Sequence, residues 1–384
     1  MLESLKYVAL PVVSFPEAAQ KALDPNGPAP LKMMAAKGLL PLKPDQTLKV
    51  WFQLSLSGDD SLNKTINESV ASFDENTLLE LAQSQIEPQL LDWLVKKSKK
   101  PAITEAIILN QATADATIMD LAATAPRDLT DLIANNHVRL LRAPDIIEKL
   151  YLNPATRMAT IDRILALAKE NKIELTGLKA LQDAINSDAF NNDEPGMSDE
   201  EFEAVLAQAA LDSEKEADDI KKADDNLKVP RPSENNEEQE LSPEEHKRHL
   251  SHQQIIDKMN APQRVRLALM GTREDRNILL RDSRRIVYMS VIQSPKMSVG
   301  EVSQIASNKG MSDDIIGYIA KRRDWIRNYP IMVSLVNNPK CPLGEALSFL
   351  KVLRVSDLKL LMRSKSISST LARQATALYR QKQS

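Results

Sequence analysis

The C-terminal third of the chain contains two similar stretches that lie 44 residues apart. Residues Val287–Ser298 read VYMSVIQSPKMS, and residues Ile331–Pro342 read IMVSLVNNPKCP. In both stretches an apolar run ends at a Pro-Lys pair, and the residue before a proline is disfavoured in α-helical geometry. The repeat therefore predicts an apolar helix that ends at the same point in each of two copies.

A second pair of similar stretches lies in the N-terminal half at almost the same spacing. LNQATADATIMDLAA begins at Leu109, and LNPATRMATIDRILALA begins at Leu152, 43 residues later. Such a period, filled by two or three short helices, is typical of HEAT and armadillo arrays. In these arrays neighbouring repeats stack and share a core. The alternative is an irregular helical bundle in which the similarities arise by chance.

Composition also favours helices. Apolar residues make up 42% of the chain, but aromatic residues make up 4% and there are only 10 glycines. Sheets need glycine turns and strands rich in aromatic or β-branched residues, whereas Ala, Leu, Lys, Glu and Gln favour helices. We therefore predict an all-α protein made of two α-solenoid, HEAT/armadillo-like blocks.

Charge divides the chain into three parts. The formal balance is −4 over residues 1–192, −14 over 193–246 and +15 over 247–384. The middle part has too few apolar residues to offset the entropy lost on ordering. The sequence therefore predicts an N-terminal helical-repeat domain (1–192), an acidic disordered linker (193–246) and a basic C-terminal helical-repeat domain (247–384).

One segment of this acidic part has the pattern of an amphipathic helix. Ser198 and Glu201 match the S-x-x-E capping box, and apolar residues follow at helical spacing. We predict a docking helix that lays its apolar face into a groove. The alternative is a helix that packs on its own chain or forms only in part. The predicted docking face comprises Phe202, Val205, Leu206 and Ala209.

Basic residues of the C-terminal block recur with the repeat. In a regular solenoid they would form a positive stripe for an anionic partner, such as an acidic protein or nucleic acid. Cations at helix C-termini also complement the helix dipole, and the acidic linker itself could occupy the stripe. The predicted stripe comprises Arg281, Arg284, Arg285, Arg322, Arg323, Arg327, Arg363 and Lys365.

The sequence contains no recognisable catalytic motif. It has no P-loop, no G-x-G-x-x-G and no H-E-x-x-H, so we predict no enzyme activity, no cofactor and no metal site. His246, His249 and His252 have helical spacing, but adjacent cations favour a solvated helix start over a metal site. Cys341 precedes a helix start and is either a small buried hydrophobe or a thiol of lowered pKa.

Features that bear on the compartment favour the cytoplasm. The single cysteine excludes a disulfide framework within one chain, and no run of 18 apolar residues predicts a transmembrane segment. The apolar run Tyr7–Phe15 is short, contains Pro11 and lacks a basic region before it. We therefore expect a core segment there and not a secretory signal.

Several stretches carry a family resemblance. They include RVRLALMGTREDRNILLRDSRRIV, the 54 residues that begin SPKMSVGEVSQIASNKG, and NNHVRLLRAPDIIEKLYLNPATRMATIDRILALA. On these stretches the protein resembles uncharacterised bacterial proteins with HEAT-like repeats, and the similarity extends over about two thirds of the chain and skips the acidic part. The resemblance implies the repeat fold and the two-block layout, and it implies no activity.

These features predict a non-enzymatic scaffold or adaptor. It would bind a protein partner through its helical-repeat surfaces and the acidic docking helix. The alternative is a nucleic-acid-binding module that uses the basic C-terminal repeats, with the acidic linker as an autoinhibitory mimic.

Overall fold

The computed structural model describes residues 5–186, 196–224, 252–364 and 367–383. Within these ranges every regular element is a helix, which confirms the all-α prediction. The chain divides into two compact units, Met1–Ile173 and Glu174–Ser384.

In the N-terminal unit, helices that are two apart along the chain pack side by side. One run of such neighbours is α1, α3, α5, α7 and α9, and another is α2, α4 and α6. The elements are a 3₁₀ helix at Val12–Ser14 and the α-helices α1 (Glu17–Leu23), α2 (Ala29–Ala36), α3 (Pro44–Ser55), α4 (Asp60–Ser72), α5 (Glu75–Gln83), α6 (Pro88–Ser98), α7 (Pro101–Leu109), α8 (Asp115–Thr124), α9 (Arg127–Ala134), α10 (His137–Arg142), α11 (Asp145–Leu152) and α12 (Met158–Glu170).

In the C-terminal unit, α16 packs on α18, α19 packs on α22, and α24 packs on α25. The elements are α13 (Lys179–Asn186), α14 (Asp199–Asp224), α15 (helical over 252–257), α16 (Ala261–Met270), α17 (Arg273–Leu279), α18 (Arg285–Ile292), α19 (Val299–Ser307), α20 (Asp313–Lys321), α21 (Arg323–Ile326), α22 (Tyr329–Asn337), α23 (Leu343–Leu350), α24 (Val355–Arg363) and α25 (Ser369–Gln383).

A buried asparagine at the end of α11 bridges two helices. The side-chain amide of Asn153 donates to the carbonyl oxygens of Ala122 and Ala125, both at 2.9 Å. Those carbonyls belong to the C-terminal end of α8, the helix packed beside α11. The Asn153 side-chain oxygen accepts from the backbone N–H of Ala155. The Asn153 side chain therefore satisfies carbonyl groups that have no partner within α8, and it also fixes the turn that follows α11.

The same bridge recurs at the other copies of the sequence repeat. Asn110 ends α7 and donates to two carbonyls at the end of α5, at 2.7 and 2.8 Å. Asn338 ends α22 and donates to two carbonyls at the end of α19, at 2.9 and 3.1 Å. At the remaining copy the Ser294 hydroxyl donates to the Leu269 carbonyl of α16. We call this feature the asparagine bridge.

A second contact recurs in the N-terminal unit, seven residues after each of the two bridging asparagines, Asn110 and Asn153. The Thr117 hydroxyl donates to Asp92 at 2.8 Å, and the Thr160 hydroxyl donates to Asp131 at 2.5 Å. Both threonines occupy the third position of a helix, α8 or α12, and reach an earlier helix. The motif N-x-x-x-x-x-x-T therefore specifies contacts between helices as well as local turns.

In the C-terminal unit the corresponding contact is a buried ion pair. Glu301 lies seven residues after Ser294 and accepts from Nε and Nη2 of Arg276, at 3.0 and 2.8 Å. The Arg276 Nη1 atom donates to the Gly271 carbonyl. Glu301 also forms a capping box with Ser298 at the start of α19. These partners satisfy two charges that burial would otherwise destabilise.

Part of the predicted linker forms a helix. Residues Asp199–Asp224 form α14, which extends beyond the predicted docking face because residues of high helix propensity continue after it. The two compact units divide after Ile173, and α13 packs on α18 within the C-terminal unit, while the predicted domain bounds stay a prediction. The rest of the predicted linker lies outside the described residues.

The start of α14 is attached to the start of α16. The Gln263 side chain accepts from the Met197 N–H and donates to the Met197 carbonyl. Gln263 also completes the capping box of α16 with Asn260. A Cβ at Gly196 would lie 2.6 Å from these two side chains, so the close approach requires glycine there.

We predict that Asn153→Ala lowers the free energy of unfolding of the N-terminal unit by about 2–4 kcal/mol, because it leaves buried carbonyls without donors. Urea unfolding followed by circular dichroism measures the change. Asn171→Ala is the matched control, since Asn171 also ends a helix but is exposed and bonds only within it. Its effect should stay within about 0.5 kcal/mol. Equal effects of the two substitutions would contradict a structural role for the asparagine bridge.

Candidate functional site

Most arginines of the predicted stripe are exposed. Arg285 and Arg322 are exposed and bonded to neighbours, and Arg284 is half-buried. Lys365 lies outside the described residues. Among the residues that the structure describes, Arg281, Arg323, Arg327 and Arg363 are exposed and have no acidic partner within ion-pair distance.

Arg285 is engaged with an acidic neighbour. Its Nε donates to Asp314 at 2.8 Å, and the Tyr288 hydroxyl donates to the same carboxylate at 3.2 Å. The hydrogen bond from Arg285 lowers the pKa of the Asp314 carboxyl. Arg285 is therefore less available to an outside anion than the arginines that have no partner.

Arg322 is held by two aromatic rings. Its guanidinium carbon lies 5.0 Å from the ring centroid of Trp325 and 5.9 Å from that of Tyr318. One guanidinium nitrogen donates to the Tyr318 hydroxyl at 2.9 Å. The two rings meet edge to face, with centroids 6.0 Å apart. Cation–π contacts position the arginine while leaving its charge exposed to solvent.

A second arginine–aromatic pair lies at the start of α24. The Arg354 guanidinium carbon is 4.6 Å from the ring centroid of Tyr329. The Tyr329 hydroxyl donates to Asp357 and accepts from the Arg354 backbone N–H. Burial and the hydrogen bond to Asp357 raise the pKa of Tyr329. This pair fixes the turn before α24, so its tyrosine is not free for stacking.

The structure brings part of the predicted stripe together. Arg322 lies between α20 and α21, Arg323 begins α21, and Arg327 follows its last residue. We call Arg322, Arg323, Arg327, Tyr318 and Trp325 the α21 surface. Among the described residues, no hydrogen bond, ion pair or ring contact joins it to Arg281 or Arg363. Sequence analysis missed Tyr318, although Tyr318, Arg322 and Trp325 have helical i, i+4, i+7 spacing.

The predicted docking face is turned toward the chain itself. Phe202, Leu206 and Ala209 are buried, Val205 is half-buried, and α14 packs on α16. Lys296 adds a contact between its ammonium group and the Ser213 hydroxyl at 3.3 Å. The structure therefore matches the alternative in which this helix packs on its own chain.

The remaining candidate side chains have ordinary structural partners. His252 contacts the Asp275 carboxylate at 2.7 Å, whereas His246 and His249 lie outside the described residues. Asp275 is buried and caps α17 through Thr272. Burial raises the pKa of the Cys341 thiol to about 12, so the thiol is protonated near neutral pH.

Two adjoining depressions on the N-terminal unit escaped sequence analysis. One is lined by Leu109, Leu132 and Val138, and the other by Arg157 and Arg163. Asn135 lines both. Leu109 and Val138 do not follow the helical spacing of the buried residues of α7 and α10. This departure is the sequence signal that could have indicated an exposed apolar patch.

Comparisons with known proteins give no relative: no family model, no curated protein and no solved structure matches the chain. The predicted kinship with HEAT-repeat proteins therefore stays a prediction. Within the described ranges, none of the helices combines the length and the apolar character needed to cross a bilayer.

We predict that the contribution of His252 to stability falls as pH rises. The hydrogen bond to Asp275 raises the pKa of His252, and Glu274 and Asp212 act in the same direction. Because the pKa of His252 is higher in the folded state, its protonation stabilises the fold. This stabilisation is complete below the unfolded-state pKa of about 6.5 and is lost as pH rises through the folded-state pKa.

The measurement is urea unfolding of the wild type and of His252→Gln between pH 5.5 and pH 9. The difference between them should be largest at the acidic end and should shrink toward pH 9. His137→Gln is the control, because His137 is exposed and has no acidic partner among the described residues. A difference independent of pH would contradict the ion pair.

Proposed function

We propose that the chain is a non-enzymatic scaffold or adaptor that binds an acidic segment of a protein partner at the α21 surface. Five features of that surface support the proposal: two exposed arginines without acidic partners, a third arginine held by aromatic rings, and the two rings themselves. The observation that carries it is the position of Arg322 over Trp325 and Tyr318.

We also propose that each unit is a stack of HEAT- or armadillo-like repeats. The asparagine bridge supports this, because it recurs at the 43- and 44-residue spacing of the sequence repeat. Every bridge joins the ends of two helices that pack side by side. A stack built in this way buries its bridging groups and leaves the helix ends and turns for binding partners.

Arg322 favours a protein carboxylate over a nucleic acid base. A positioned guanidinium binds a carboxylate with two parallel hydrogen bonds, and little side-chain entropy is lost because the rings already hold it. Arg322 also covers one face of both rings, and the rings meet edge to face. That arrangement leaves less ring surface on which nucleic acid bases could stack.

The test uses fluorescence anisotropy with the full chain and three labelled probes. The probes are a Glu- and Leu-containing acidic peptide, a random duplex DNA and a single-stranded RNA, each at two salt concentrations. We expect Arg322→Ala/Arg323→Ala/Arg327→Ala to weaken peptide binding by about tenfold or more, since three charges leave the surface.

A triple variant of the N-terminal unit, Lys21→Ala/Lys37→Ala/Lys64→Ala, removes the same formal charge and is the matched control. These lysines are exposed and have no acidic partner among the described residues. Tight nucleic acid binding whose logarithm falls steeply with log salt would overturn the proposal in favour of the nucleic-acid-binding alternative. So would peptide binding that the two triple variants weaken equally.

A further inference from the structure

We infer that the N-terminal unit has a separate docking surface for a short segment of a partner protein that carries an apolar side chain beside a carboxylate. The surface comprises Leu109, Leu132, Asn135, Val138, Arg157 and Arg163, and we call it the Asn135 surface. It does not depend on the α21 surface or on the function proposed for it.

One end of the Asn135 surface is apolar. Leu109 is the last residue of α7 and is 61% exposed, and Val138, in α10, is 75% exposed. Both line one depression together with Leu132. Leu141 lies one turn after Val138 and is also exposed. Adjacent exposed aliphatic side chains gain free energy when an apolar ligand covers them.

The other end carries more positive than negative charge. Arg157 and Arg163 face a single carboxylate, Asp131, which lies 3.6 Å from Nη1 of Arg157. Asp131 also accepts the hydroxyl of Thr160 at 2.5 Å. The Arg157 side chain is 40% exposed, and Arg163 is exposed and has no acidic partner among the described residues. A ligand carboxylate can therefore pair with both guanidinium groups.

Asn135 connects the two ends. Its exposed side chain lines both depressions, and the side-chain amide has no hydrogen-bond partner in the described part of the chain. One occupant can therefore contact leucine and valine at one end, an amide in the middle and guanidinium groups at the other. A peptide supplies apolar, backbone polar and carboxylate groups in that order, whereas a nucleic acid would leave the apolar end uncovered.

The experiment selects random 12-residue peptides displayed on phage against the full chain. Binders to the Leu109→Asp/Val138→Asp variant are removed at each round. We expect the enriched peptides to contain Leu, Ile or Phe next to Asp or Glu. An enriched peptide, synthesised with a fluorescent label, should lose about tenfold or more in affinity on Leu109→Asp/Val138→Asp and on Arg157→Glu/Arg163→Glu.

The control is Lys21→Glu/Lys64→Glu, which reverses two exposed charges of the same unit and should leave the affinity unchanged. Because Leu109 and Val138 are mostly exposed, their variants keep the fold, and circular dichroism checks this. The inference is overturned if no peptide is enriched, if the enriched peptides lack acidic residues, or if the Arg157/Arg163 variant binds as the wild type does.

Vesicles of phosphatidylserine and phosphatidylcholine test whether the Asn135 surface binds an anionic membrane instead of a peptide. We expect no binding that depends on Leu109 and Val138. Vesicle binding that the Leu109→Asp/Val138→Asp variant abolishes would assign the surface to a membrane and would also overturn the inference. Failure of the α21 surface to bind its acidic peptide would leave these results unaffected, because the two surfaces share no residue.

Discussion

The asparagine bridge is the interaction on which the rest of the structure depends. Short helices leave carbonyl groups unsatisfied at their C-terminal ends, and stacking them buries those groups. The side-chain amide of Asn110, Asn153 or Asn338 donates to two carbonyls at the end of the neighbouring helix, and its oxygen accepts from the backbone N–H two residues later. The bridge thus joins helices of only 8 to 10 residues in a chain with few aromatic side chains. The same bond also sets the register between neighbouring helices.

This construction separates structural polar groups from binding ones. The polar side chains that hold the helices together are buried and paired, as in Asp92–Thr117 and Arg276–Glu301. The arginines at helix ends and turns have fewer partners, and Arg322 of the α21 surface is placed by aromatic contacts and not by an ion pair. A ligand can therefore bind these side chains without displacing a bond that the fold requires, which is consistent with the proposed scaffold role.

The helices could be predicted from the sequence, because helix propensity and apolar periodicity depend on local pattern. The asparagine bridge could not be predicted, since the carbonyls that accept from Asn153 lie about 30 residues earlier in the chain. The apolar face of Phe202 was found, but periodicity cannot say whether its groove belongs to the chain or to a partner. The Asn135 surface was missed for a similar reason: Arg157 and Leu109 are distant in sequence, and packing alone places them in two depressions that adjoin at Asn135.

Hydrogen exchange of the full chain, read by mass spectrometry, tests the role of the asparagine bridge most directly. It should be compared between the wild type and Asn338→Ala. The account predicts faster exchange at the C-terminal ends of α19 and α22, which Asn338 joins, and unchanged exchange in α5 and α7, which Asn110 joins. Unchanged protection in α19 and α22 would contradict the account, because the bridge would then contribute nothing to holding neighbouring helices together.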